Sequence, residues 1–112
     1  MSDAAAILDK ARAAGHLTVL AHPTRWRGGA RMIYQGLRPD AIELRSCNQN
    51  GEASRVAETL AAEYDLPTVN AGDVHGLDMV NAYWIETHRP IERAGDIRRI
   101  VLDGAYSLGQ RE

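Results

Sequence analysis

Asp73-Val74-His75 places a carboxylate and an imidazole two residues apart directly after a short apolar run, and Ala21-His22-Pro23 repeats that setting earlier in the chain. Residues two apart in an extended segment project to the same side, so one strand end can present Asp73 and His75 to a single ion. Carboxylate oxygen together with neutral imidazole nitrogen suits Zn, Mn or Fe better than Ca or Mg. An isolated D-x-H also has a plain structural reading, an aspartate capping the turn at Gly76 beside a loop histidine. His22 at the end of a neighbouring strand strengthens the metal reading, because separate strand ends converge in space. His22, Asp73 and His75 are thus the candidate ligands of a divalent metal, and they make up only about half of a catalytic metal site.

Further residues bear on this. Ile42 and Leu44 should face covering helices, which turns Glu43 to the other face of its strand, beside Ala41 and Arg45. A carboxylate there needs a cation or hydrogen bonds to offset desolvation. Its partner can be Arg45, Arg25 or a metal, and orienting a metal-bound histidine is a further role. Arg25-Trp26-Arg27-Gly28-Gly29 follows His22; guanidinium groups beside a metal can hold a phosphate bidentately, with glycines permitting close backbone approach. Arg25, nearer the strand end, is the candidate substrate-binding residue; the competing reading is a solvated loop. Cys47 could pair with His22 as a nucleophile, but it reads as a buried or bystander thiol. His16 and His88 read as structural and exposed loop residues.

The elements that must position these groups follow from periodicity. Ala4, Ile7, Leu8 and Ala11 mark a helix with Ser2 or Asp3 as N-cap and Gly15 as its stop. Leu17 to Ala21 is a buried strand ended by Pro23. Gly28-Gly29 signals a loop, and Met32, Ile33 and Leu37 suit a short helix before Pro39. Ala41 to Ser46 is a second strand. Ala53, Val56, Ala57, Leu60, Ala61 and Tyr64 mark the clearest helix, with Asn50 as its cap. Thr68 to Ala71 is a third strand and Ala82 to Thr87 a fourth. Asp96 caps a last helix carrying Ile97, Ile100 and Val101, stopped by Gly104. The order implies an α/β fold of parallel strands alternating with helices. His22, Ser46 to Asn48, and Asp73 to His75 then lie at the carboxyl ends of the strands, where such sheets collect ligands.

Composition limits the alternatives. The chain has 112 residues, 45% hydrophobic and 25% charged, with net charge −2, which suits one globular domain over 1–112. Acids and bases are interleaved, so no long-range field favours nucleic acid or an anionic membrane. One cysteine excludes an intrachain disulfide. No signal peptide or apolar run of the ~20 residues a membrane helix needs is visible, and a cytoplasmic location is expected.

Val19-Leu20-Ala21-His22-Pro23, then Asp40-Ala41-Ile42-Glu43-Leu44, then Ala71-Gly72-Asp73-Val74-His75-Gly76 resembles the C-terminal part of the PHP (polymerase and histidinol phosphatase) domain. The pattern covers about residues 15 to 105; the order of its motifs is specific, whereas each triplet alone is weak. The resemblance implies the C-terminal half of a distorted (β/α)7 barrel that binds up to three divalent metals and hydrolyses phosphoesters. It equates His22 with the family's third-motif histidine, and Asp73 and His75 with its fourth-motif D-x-H. Glu43 falls on a strand usually reading I-E or L-E, and no ligand role carries over to it securely. The family's opening H-x-H, the histidines that follow and the bridging glutamate have no counterpart here, and a complete barrel takes ~200 residues or more.

Three functional readings follow. The chain is a metal-dependent phosphoesterase unit acting on a small phosphorylated substrate, its site completed by a second copy or a complementary N-terminal half. Alternatively it is a non-catalytic PHP-like half serving as an oligomerisation or interaction module. Or it is a fragment whose activity needs the missing motifs. A half-barrel exposes sheet edges and an apolar inner face, so a homodimer is expected.

Overall fold

The computed structural model describes residues 3–23 and 27–111. Helix α1 (Asp3–Ala13) leads to strand β1 (Val19–Leu20), then α2 (Arg27–Tyr34), β2 (Ala41–Arg45), α3 (Gly51–Tyr64) and β3 (Thr68–Asn70). A 3₁₀ turn (Leu77–Met79) precedes β4 (Tyr83–Thr87), α4 (Ala94–Leu102) and β5 (Tyr106–Gln110). The molecule is mixed α/β. Strands β1, β2 and β3 form a parallel sheet in that order, with Val19 opposite Ala41 and Ile42 opposite Thr68.

Alternation along β2 divides its side chains between two cores. Ile42 and Leu44 pack with Ile33 of α2 and with Ala57, Leu60 and Ala61 of α3. Full burial of Ile42 alone is worth about 1.5–3 kcal/mol. Ala41 packs on the opposite face with Val69, Val101, Ile85 and Tyr106. That second face is the would-be inner face of a half-barrel, expected to lie open. It is instead covered by α4 and the β4–β5 hairpin.

The fourth strand also departs from expectation. β4 does not extend the parallel sheet; it pairs antiparallel with β5, Trp84 opposite Gly109. Two side-chain bonds tie this hairpin to β3. The Tyr106 hydroxyl donates to the Thr68 carbonyl at 2.6 Å, and Asn70 Nδ2 donates to the Gly109 carbonyl at 3.0 Å. Partial burial pushes the Tyr106 phenol above its ordinary pKa of 10.0.

Local signals explain the helix ends. Asn50 caps α3 through its side-chain oxygen, which accepts from Ala53 N at 2.8 Å, as its residue type predicts. Asp96, expected as the cap of α4, sits three residues inside it; Arg93 holds the cap position. The Asp96 carboxylate still serves the helix start, accepting from the backbone N–H groups of Glu92 (2.9 Å) and Arg93 (3.0 Å). Asp3 opens α1 from inside the helix, and Ser2 lies outside the described residues. Gly28-Gly29, expected in a loop, falls in the first turn of α2. A side chain at Gly29 would collide with the Pro23 carbonyl, which accepts from Ala30 N at 3.1 Å.

Candidate functional site

Each parallel strand delivers polar residues from its carboxyl end. β1 ends two residues before His22, whose φ of 28° turns the chain into the left-handed region ahead of buried Pro23. The His22 backbone N–H donates to Glu43 Oε1 at 3.2 Å. Glu43 is only 4% exposed and shares the Ala41 face of β2, as strand alternation requires. Among the described residues it forms no ion pair, and Arg45, one expected partner, is exposed. The other expected partner, Arg25, lies outside the described residues together with Trp26.

After β2 the chain turns through Cys47, Asn48 and Gln49. Asn48, placed by sequence at the strand ends but given no role of its own, is the hub of the site. Its Nδ2 donates to the Asp73 carboxylate at 2.6 Å and to the Asp73 carbonyl at 2.9 Å. Asp73 has a φ of 47°, a left-handed conformation that aspartate tolerates better than most residues. His75 Nδ1 lies 2.9 Å from the same Asp73 carbonyl. A carbonyl accepts only, so this contact selects the Nδ1–H tautomer and leaves the lone pair on Nε2. With that tautomer, the 3.2 Å approach of Asn48 Nδ2 to His75 Nδ1 is contact between two donors. Behind the loop, Met79 Sδ accepts the His75 backbone N–H at 3.4 Å, and Cys47 Sγ donates to the Met79 carbonyl at 3.6 Å.

Gln49 fastens the other side of the turn, with Nε2 donating to the carbonyls of Glu43 (3.1 Å) and Leu44. A cavity of about 340 Å³ opens between His22, Asn48, Gln49, Asn50, Glu52 and Val56. Asn48 therefore joins the His22 cavity on one side to the Asp73–His75 pair on the other. Three buried side-chain atoms lack a hydrogen-bond partner among the described residues: His22 Nδ1, Gln49 Oε1 and Asn70 Oδ1. All three lie at the carboxyl ends of the parallel strands.

The fit to a metal is partial. Asp73 and His75 carry the donor chemistry of a divalent ion, with the histidine tautomer fixed as in most metal-binding histidines, but the 4.0 Å approach of Asp73 Oδ1 is to the protonated Nδ1 and not to the free Nε2. Among the described residues, however, no three His, Cys, Asp or Glu side chains are gathered to hold one ion. His22 shares the edge without completing a three-ligand cluster, and the Glu43 carboxylate is turned to the His22 backbone. His88, away from this edge, is exposed with Nε2 2.7 Å from Ser107 Oγ.

The sequence matches no protein-family model, and no curated protein or solved structure matches it. Among the described residues no helix is long and apolar enough to cross a membrane.

Proposed function

We propose that the carboxyl edge of the parallel sheet is the ligand site of a PHP-like, metal-dependent phosphoesterase unit. The observation that supports this reading most is that two of the three buried, unpartnered side-chain polar atoms among the described residues, His22 Nδ1 and Gln49 Oε1, belong to residues lining the cavity at this edge. Native interiors satisfy such groups, so a cluster of exceptions marks a place where ligand or water belongs. Asp73 and His75 would hold a divalent metal such as Zn, Mn or Fe, with His22 the third protein donor and Glu43 supporting it through the His22 backbone. When bound, such an ion polarises a phosphoryl oxygen and makes its water acidic enough to act near neutral pH. Arg25 would hold the phosphate.

With too few ligands gathered among the described residues, the site needs a second set, and a homodimer is the arrangement we favour; a complementary N-terminal half is the other. β1 stands at the sheet edge with just two residues and a partly exposed Val19, a place where a partner strand can add. The second reading, a non-catalytic oligomerisation module, is favoured by the absence of a three-ligand cluster among the described residues.

Metal titration by calorimetry, paired with solution mass by light scattering, separates the two. The enzyme reading expects Zn or Mn to bind the dimer, binding to vanish in Asp73→Ala, and aryl phosphate hydrolysis to appear with the metal. A dimer that takes up neither ion would leave the module reading standing. A monomer at micromolar concentration would remove the dimer from both.

A further inference from the structure

A second cavity, of about 420 Å³, lies on the amino side of the sheet, where Gly15 precedes β1 and α4 begins. Three arginines of the α4 region line it, Arg93, Arg98 and Arg99, together with the carboxylates of Asp96 and Asp103. Most of these charges are already engaged. Arg98 Nε and Nη2 reach the buried Asp40 carboxylate at 3.1 and 3.3 Å, and Asp103 is drawn to Arg89 at 2.8 Å. Asp96 is satisfied by the backbone N–H groups of Glu92 and Arg93.

The guanidinium groups of Arg93 and Arg99 remain. Neither has an ion pair among the described residues. Both lie near enough to Asp96 to help hold its carboxyl below its ordinary pKa, after the larger effect of the two backbone N–H groups. Two like charges line one cavity and share the single Asp96 carboxylate, so part of their mutual repulsion is left unbalanced. An anion placed there would relieve that repulsion.

We propose that this cavity binds a small organic phosphate, independently of the site at the opposite edge. Guanidinium groups recognise phosphate oxygens bidentately and stay charged at any working pH. The volume falls in the ~300–1,000 Å³ range of small-molecule sites, more than a bare phosphate ion fills. Gly15 and Gly95 bring only backbone to the cavity; even a methyl group at Gly95 would stand 3.6 Å from the Gly15 carbonyl. That carbonyl can accept from a ligand hydroxyl, and Leu102 supplies an apolar wall.

The test follows amide NMR shifts of the full chain during titration with inorganic phosphate and, separately, with ribose 5-phosphate. Both probes should move the amides of residues 93–99, ribose 5-phosphate at the lower concentration, and added sodium chloride should weaken both. Arg93→Gln combined with Arg99→Gln should cost about tenfold or more in affinity, as loss of charge-assisted hydrogen bonds does. Arg55→Gln, an equally exposed change on α3, should cost nothing. Arg98 stays intact because it anchors Asp40. No shift at millimolar probe, shifts confined to residues 22 and 48–52, or unchanged affinity in the double variant would each overturn the proposal. Equal affinity for the two probes would overturn the organic-ligand assignment. If the double variant fails to fold, the salt dependence and shift map of the wild-type protein still decide.

Discussion

The Asn48 side-chain amide holds Asp73 at two points, carboxylate Oδ2 at 2.6 Å and main-chain carbonyl at 2.9 Å, bridging the turn after β2 to the loop after β3. One Nδ2 thereby fixes both the aspartate and the carbonyl that orients His75. Hydrogen bonds to charged groups contribute about 1.5–3 kcal/mol, and Asp73 also pays for its left-handed backbone. Asn48→Ala should therefore destabilise the fold by about 1.5–3 kcal/mol in urea denaturation. On the proposed metal reading it should also weaken Zn or Mn binding more than Gln49→Ala does. Equal losses of metal affinity in the two variants would deny Asn48 a positioning role.

Gly109 lies opposite Trp84 in the β4–β5 hairpin, and a Cβ at Gly109 would overlap the indole ring. The ring has to move or the hairpin has to open, and overpacking of this kind costs about 1–3 kcal/mol. Gly109→Ala should lower stability by that amount and displace the Trp84 indole N–H resonance. Introducing Trp84→Leu beside it should recover much of the loss, since the clash is pairwise. An additive double mutant would show that the glycine is needed for its backbone alone.

How far the sequence disclosed this molecule depends on the range of the interactions involved. Asn50 as cap, α3 and the β2 alternation were legible because each is set by residues within one turn or one strand. Glu43 was placed on the correct face by the same alternation. The destination of β4 was not legible, because Tyr83 to Thr87 has strand chemistry whichever neighbour it pairs with. Its partner β5 carries Ser107, Gly109 and Gln110, which blur the strand signal. Gly29 shows the same limit: its need arises from Pro23, six residues earlier. At the site, His22, Asn48, Asp73 and His75 lie at strand ends as expected, but the bond from the Asn48 amide to Asp73 was not legible. Asn48 has no spacing motif, and only the folded chain sets it against Asp73.

Asp96 predicts the acid limb of stability. Its carboxylate accepts two backbone N–H bonds and feels Arg93 and Arg99, so its folded pKa lies below the ordinary 3.8. A lowered folded pKa means the folded chain binds that proton more weakly than the unfolded chain. The contribution is therefore present above pH 3.8 and is lost as pH falls through the folded value. Asp96→Asn should flatten the decline of urea stability over that window relative to wild type. Parallel curves for the two proteins would show that Asp96 titrates alike in both states.

Arg98, 26% exposed, and buried Asp40 form the pair that fastens α4 to the sheet. The Asp40 side chain is 5% exposed, and its Oδ2 accepts from Thr18 N at 3.0 Å as well as from Arg98 Nε at 3.1 Å. Removing only the cation leaves a desolvated carboxylate with one backbone donor, a change that typically costs about 3–5 kcal/mol. Arg98→Leu should lose about that much, somewhat less where water reaches the vacated space. Adding Asp40→Asn removes the stranded charge while its amide oxygen still accepts from Thr18. The double variant should regain a large part of the loss, because a buried pair is dispensable when both charges leave together. The check is the order of urea midpoints: wild type highest, the double variant between, Arg98→Leu lowest. A double variant no more stable than Arg98→Leu alone would mean that the arginine acts through its packing on α4 and not through its charge.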